Sequence, residues 1–283
     1  SNIAQEIQSL DSITIKSSRI DIPFKMNSRT ISIITMEDIK NSPATNLVEL
    51  LQQEAGVDIR RQGIYGMQSD LYIRGGGFDQ TLLLIDGVKS EDPQTGHHTL
   101  NIALPLEVIK RIEIIKGPAA RIFGQNAFTG AINIVTKSNT DLKNNIGFQL
   151  GSYNQQHVTG TVGAKLKKTS LIGHASINSS EGYRYNTDFQ NQNYFFKSSF
   201  ETKNNPIDIL ATFSERKFGG NQFYSINARE QYEETQSSLV SISTTKYIGN
   251  IKISPQVYWK RNQDMYLYIR TNPSVYRNLH ISN

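Results

Sequence analysis

The stretch LYIRGGGFDQTLLLIDGV, residues 71–88, decides the fold. Leu71 and Ile73 alternate with Tyr72 and Arg74, as in a half-buried strand. Gly75, Gly76 and Gly77 break that run. Leu82 to Ile85 is a second apolar run, and Asp86-Gly87 is the dipeptide a tight hairpin turn favours. The stretch therefore reads strand, glycine turn, strand, turn.

A second unit follows the same logic at RIEIIKGP, residues 111–118, where Ile112 and Ile114 alternate with Glu113 and Ile115 until Gly117 and Pro118 stop the strand. Gly124 and Gly130 then bracket a turn before GAINIVT, residues 130–136. Upstream, Ile31, Ile33 and Ile34 predict a short strand, and Thr35 with Asp38 three residues on predicts a capped helical turn. Ser42 and Pro43 read as a helix start and Gly56 as its stop, with Ala44, Leu47, Val48, Leu51 and Ala55 on one apolar face. Residues 21–138 are thus expected to form a small mixed α/β domain, preceded by a polar arm over residues 1–20.

Beyond Ser138 the texture changes to long dyads that are apolar on one face only. Ile146, Phe148 and Leu150 alternate with Gly147, Gln149 and Gly151. Tyr194, Phe196 and Phe200 oppose Lys197, Ser199 and Glu201, and Ile207, Ile209, Ala211 and Phe213 oppose Asp208, Thr212 and Ser214. Runs of about ten alternating residues are what a transmembrane β-barrel requires, because lipid and lumen see opposite faces of every strand. The connections near 167–170, 203–206 and 247–250 are tight, whereas 179–193 and 217–235 are long and polar. This alternation matches short turns on one side of a membrane and long loops on the other. Seven complete strands are expected over residues 139–283, with an eighth beginning near Met265. Large transmembrane barrels run to about 22 strands, on the order of 500 residues, so the chain reads as the amino-terminal part of such a barrel.

Composition narrows the function classes. The 283 residues include no cysteine, which removes disulfide frameworks and thiol chemistry, and the formal charge is +5. No Lys/Arg cluster is interleaved with aromatics, so nucleic acid is not an expected partner. No run approaches the roughly 18 apolar residues of a membrane helix. The serines lack a nucleophile-elbow context and no His-Glu-x-x-His spacing occurs, so neither an enzyme nor a bound metal or cofactor is expected. The run Arg74 to Gly77 lacks the Gly-Lys-Ser/Thr of a phosphate loop. His97 and His98 are adjacent and on a strand would point to opposite faces.

Arg74-Gly75, Leu84 to Val88, Arg111 to Pro118 and Gly130 to Thr136, in this order and spacing, resemble the plug domain of TonB-dependent outer-membrane receptors. The resemblance implies an α+β plug followed by antiparallel transmembrane strands in the bacterial outer membrane, in contact with its lipid. It also implies active import of a scarce small molecule or metal chelate energised by the TonB-ExbB-ExbD complex, with a likeness closer to the cobalamin and siderophore branch than to glycan importers. A non-transporting receptor or accessory subunit of an outer-membrane assembly is the alternative. The segment Asp11, Ser12, Ile13, Thr14, Ile15 and Lys16 resembles the family's TonB box. By the same resemblance, Arg74, Arg111 and Lys116, with Arg121 nearby, are expected to meet barrel carboxylates, with simple structural ion pairing as the alternative. Substrate contacts are expected on the outward plug tips at Tyr65, Met67, Gln94, His97 and His98, and on the first long loop at Tyr183 and Tyr185.

Overall fold

A computed structural model describes residues 14–16, 21–23, 31–63, 67–92, 96–118, 123–137, 144–202, 205–249 and 251–283. A short antiparallel pair, β1 (Thr14–Lys16) with β2 (Asp21–Pro23), precedes the first domain. That domain is built on a five-stranded sheet of β3 (Ile31–Thr35), β6 (Thr81–Ile85), β7 (Val88–Lys89), β8 (Ile109–Lys116) and β9 (Gly130–Thr136), ordered β3-β8-β9-β6-β7. Two helices, α1 (Met36–Asn41) and α2 (Leu47–Gln52), and a hairpin of β4 (Val57–Gln62) with β5 (Gln68–Ile73) complete it.

Local chemistry explains these elements. Thr35 caps α1, its hydroxyl accepting from the Asp38 N–H while the Asp38 carboxylate accepts from the Thr35 N–H at 2.8 Å, a capping box with Asp as the third residue. The expected helix start at Ser42 is corrected: Ser42 closes α1, and α2 begins after Asn46, whose side chain accepts from the Glu49 N–H at 3.0 Å. Ser42 still accepts from the Ala44 N–H, a local turn that imitates a cap. Ala55 accordingly lies past the helix end and is exposed. At the β6–β7 turn both Asp86 (φ 47°) and Gly87 (φ 81°) adopt positive φ, as the tight hairpin demands. Gly130 is needed for a different reason: a Cβ there would stand 2.4 Å from the Ile115 carbonyl oxygen.

The second part is an eight-stranded antiparallel meander. It comprises β10 (Asn145–Gly151), β11 (Gln155–Leu166), β12 (Thr169–Ser180), β13 (Phe189–Phe200), β14 (Ile207–Gly219), β15 (Tyr232–Thr244), β18 (Gln256–Leu267) and β19 (Arg277–Ser282). A small hairpin, β16 (Lys246–Ile248) with β17 (Ile251–Ile253), sits in one short-side connection. Two expectations shift here. Met265 lies inside β18 and the eighth strand begins at Arg277, and Ile251 and Ile253 belong to the small hairpin rather than to the long strand.

This sheet is inside out relative to a water-soluble one. Thr161, His174, Asn191, Thr212, Ser214, Thr235, Ser237 and Asn262 are buried on its inner face. Ile146, Phe148 (67% exposed), Val162, Phe196, Val257 (75% exposed) and Trp259 stand on the other. An apolar side chain left in water forgoes about 1.5–3 kcal/mol of burial, and a contiguous face of them signals a non-aqueous neighbour. Among the described residues no helix is long and apolar enough to cross a membrane.

The first domain sits against the inner face of this wall. Its core of Leu51, Leu71, Ile73, Leu83, Ile112, Ile114, Ile132 and Ile134 is continuous with Ile172, Phe195, Leu210 and Leu239 of the wall. An apolar spine therefore joins the two parts.

Candidate functional site

Polar contacts flank that spine at both ends. At the long-loop end, the Arg216 guanidinium on β14 donates to Asn101 Oδ1 at 2.6 Å and to the Leu100 carbonyl at 3.2 Å. The Asn101 amide in turn donates to Thr235 Oγ1 on β15 at 3.1 Å. At the short-turn end, Lys197 Nζ on β13 reaches Asp86 Oδ2 at 3.0 Å and Thr136 Oγ1 at 2.6 Å. The Asp86 carboxylate is already fixed by the Thr136 N–H and hydroxyl at 2.8 and 2.6 Å. Lys260 Nζ donates to the Glu91 carbonyl at 2.7 Å.

For the cations of the expected plug–barrel lock, the pairs described lie within the first domain. Lys116 pairs with Glu54 at 2.6 Å and Arg111 with Glu113 at 2.7 Å, both within the first domain. Arg74, at positive φ, lies beside Gly56 and Gly117 of the same domain, and Arg121 falls outside the described residues. Glu113 is buried and also accepts from Asn133 Nδ2 at 2.9 Å, so the Arg111 charge is absorbed by the domain's own core. Among the contacts described, Lys197, Arg216 and Lys260 reach from the wall to acceptors on the first domain.

Above Arg216 a cavity of about 290 Å³ opens between the first domain and the wall, lined by His97, His98, Tyr224, Glu233, Asp264, Tyr266 and His280 among others. His97 and His98 lie on a single 3₁₀ turn, Gly96–His98, which brings both to the cavity instead of splitting them across a strand. His97 Nδ1 is 2.8 Å from Asp70 Oδ1, and the ring stacks on Phe78 with centroids 4.4 Å apart. The Asp70 hydrogen bond holds His97 above the ordinary imidazole value, whereas burial pushes His98 below it. The Tyr224 phenol lies 2.7 Å from the Gln68 side-chain amide and also meets Glu233 Oε1. One phenolic proton serves one acceptor at a time, so Gln68 Oε1 and Glu233 Oε1 compete for it. Burial, then the Glu233 charge, raise the Tyr224 phenol far above its ordinary value.

The long loops around this mouth are stitched together. Asn221 Nδ2 donates to the Tyr185 carbonyl at 2.7 Å, Asn186 Nδ2 donates to the Gln231 carbonyl at 2.7 Å, and Arg270 pairs with Asp188 at 2.6 Å. Tyr183 and Tyr185 are exposed on the 181–188 loop, and the cavity lining includes neither. Met67 is corrected from a surface contact to a supporting residue: it is 2% exposed and packs with Phe189, Phe218 and Phe223. Tyr65 and Gln94 lie outside the described residues. Sequence reasoning missed Arg216, Asn101, Tyr224 and Glu233. Arg216 carried a legible signal, since it continues the inward Thr212, Ser214 parity and a cation there needs a partner.

A folded domain is thus held by an apolar spine and polar clasps to the inner face of an outward-apolar strand wall. The family model described as TonB-dependent Receptor Plug Domain matches residues 24–131. The "Vitamin B12 transporter BtuB" of Vibrio vulnificus (strain CMCP6) is 30% identical over 135 residues, 48% of this chain and 22% of that protein. The protein of the same description from Vibrio cholerae serotype O1 is 30% identical over 182 residues, 64% of this chain and 30% of its own. The ferric citrate transporter FecA in its unliganded form superposes with a TM-score of 0.67 at 15% identity, covering 91% of this chain and 43% of that one. The siderophore receptor PirA from Pseudomonas aeruginosa gives 0.59 at 21%, covering 84% and 43%. The chain thus spans less than a third of the length of these curated relatives. Residues 24–131 match that plug family, and an eight-stranded antiparallel sheet follows them in the chain.

Proposed function

We propose that the complete receptor imports a scarce solute, a cobalamin or an iron chelate, across the bacterial outer membrane by coupling to the TonB-ExbB-ExbD complex. The carrying observation is the occluded wall: inward residues that would line an open pore instead bind plug groups, as Lys197 does Asp86 and Arg216 does Asn101. A filled barrel needs an energy source to pass solute. The outward apolar face supports residence in outer-membrane lipid, and the relatives' printed descriptions support the substrate classes.

The organisation proposed is an arm over residues 1–20, a plug over 21–138 and wall strands over 139–283. Arg74, Arg111 and Lys116 keep the plug rigid through their own-domain neighbours, while His97 and His98, with Tyr65 and Gln94, face the incoming solute and Tyr183 and Tyr185 guard the first long loop. Asp11 to Lys16 serves as the coupling hook. Of it, Thr14, Ile15 and Lys16 form β1, paired with β2, and Asp11, Ser12 and Ile13 lie outside the described residues. A segment able to pair with its own chain is also suited to adding a strand to a partner sheet.

Uptake of labelled cobalamin and of a ferric siderophore by cells carrying the complete gene, with and without TonB, tests the reading. TonB-dependent accumulation of either is expected. Binding without accumulation would instead establish the non-transporting receptor subunit. Ile15→Pro removes a ladder donor, so energised uptake should fall to background while surface binding persists. Normal import by that variant would place the hook elsewhere.

A further inference from the structure

The cavity at the long-loop end contains one group the fold leaves unanswered. Glu233 is 4% exposed, its Oε1 is met by the Tyr224 phenol, and its Oε2 has no hydrogen-bond partner among the described residues. A buried carboxylate oxygen without a donor is costly, and a ligand that supplies the donor offsets that cost. Neighbouring donors are engaged elsewhere, His97 by Asp70 and His280 by Asp264 at 3.1 Å. The lining holds two carboxylates, Glu233 and Asp264, and neither Lys nor Arg.

Three histidines share this lining, but His97 and His280 are each engaged by a carboxylate and burial disfavours the charged form of His98, so Glu233 is the acidic group left to attract a cation. The aromatic content points the same way. Tyr224 and Tyr266 meet edge to face with centroids 5.6 Å apart, and Tyr276 continues the series 6.1 Å beyond Tyr266. A π face beside a buried carboxylate is the setting in which an organic cation is held. A bare metal ion fits less well, because no group of three or more His, Cys, Asp or Glu side chains among the described residues is placed to share one. The volume of about 290 Å³ suits one functional group of a larger solute.

We propose that this pocket seats a compact organic cation, an ammonium or guanidinium group, carried by the solute that the receptor takes up, a reading that rests on the import function above. The cation donates to Glu233 Oε2 and lies against the Tyr266 ring, while Tyr224 holds the carboxylate in place.

Calorimetric titration of the complete receptor in detergent tests this with agmatine, its uncharged counterpart 1,4-butanediol, citrate and Zn²⁺ alone. Agmatine is expected to bind and butanediol and citrate not to. Glu233→Gln, which keeps the Tyr224 contact but removes the charge, should weaken agmatine on the order of tenfold or more, and Tyr266→Leu should weaken it several-fold. Asp58→Asn, on the exposed β4, should change nothing. Should Glu233→Gln fail to assemble, Tyr266→Leu decides alone. Equal agmatine affinity in wild type and variant, citrate binding instead, or Zn²⁺ binding lost in His97→Ala would each overturn the proposal. Intact TonB-dependent uptake in the same cells would show that only the cation seat had failed, whereas loss of TonB dependence in wild type overturns the import reading itself.

Discussion

The plug and the wall follow opposite rules in one chain. In the plug, Leu51, Ile73, Ile112 and Ile134 are buried and the charges face outward or pair, as in any water-soluble domain. In the wall, Ser214, Thr235 and Asn262 are buried, while Phe148, Val257 and Trp259 are exposed. Both arrangements satisfy the same requirement, that apolar surface meets apolar surface. The proposed lipid neighbour of the wall accounts for the difference. The two rules meet along Ile172, Phe195, Leu210 and Leu239, where the wall's inner face turns apolar to receive the plug.

The largest effect expected from this contrast is on solubility. Removing detergent from the chain should precipitate it, because the outward face of β10 to β19 has no partner in water. A monodisperse, detergent-free species by sedimentation would break the contrast. Site by site, Phe148→Arg and Val257→Arg should each cost about 2–4 kcal/mol of folding free energy in lipid if near the bilayer centre, and less near its interfaces. The same change at inward Ser237 should cost much less wherever the lumen is hydrated. Denaturation midpoints in vesicles measure the difference.

Next in size is the clasp. Arg216→Ala leaves Asn101 Oδ1 and the Leu100 carbonyl without their donor, and about 1–3 kcal/mol of plug docking should be lost. Lys197→Met should cost less, because Asp86 keeps both Thr136 donors. The readout is the urea concentration at which a fluorophore on the plug is released while wall fluorescence holds. The exposed pair Lys165–Glu201, 3.2 Å apart, sits in water at the short-turn end and is the comparison. Its removal should change the midpoint by under about 1 kcal/mol.

Much of this was legible beforehand, for particular reasons. The dyads at Tyr194 to Phe200 and Ile207 to Ser214 fix which side chains share a face, because a strand has period two regardless of tertiary context. The Asp86-Gly87 turn and the Thr35 cap are equally local. The α2 boundary was not, since SPATN at residues 42–46 offers side-chain oxygens at Ser42, Thr45 and Asn46: Ser42 and Asn46 both accept from backbone N–H groups, while the Thr45 hydroxyl donates to the Glu49 carboxylate. Nor were the lock partners: a sequence shows that Lys116 is charged, but not that Glu54, 62 positions earlier, folds within reach. The site was half legible. His97 and His98 stood out as rare residues, but Tyr224 and Glu233 reach the same cavity through a loop and a strand remote in the chain.

The smallest effect, and the one that bears most finely on plug against wall, concerns His97. It sits on the plug at the water-facing mouth, with its side chain 41% exposed, and bonds Asp70 at 2.8 Å. That bond raises its folded value above the unfolded value of about 6.5. The contribution to plug stability is therefore complete below that unfolded value and disappears as pH rises through the raised folded value. Solvent screening at this exposure limits it to under about 1 kcal/mol. A ¹³C-histidine titration of the complete receptor in micelles should show His97 as the resonance with the raised midpoint. Asp70→Asn should return that midpoint toward 6.5 and flatten the pH dependence of plug release between that unfolded value and the raised folded one. A midpoint unchanged by Asp70→Asn would mean that the charge of the wall, through Glu233, sets the behaviour of His97, and that the plug's mouth is governed by the barrel rather than by its own fold.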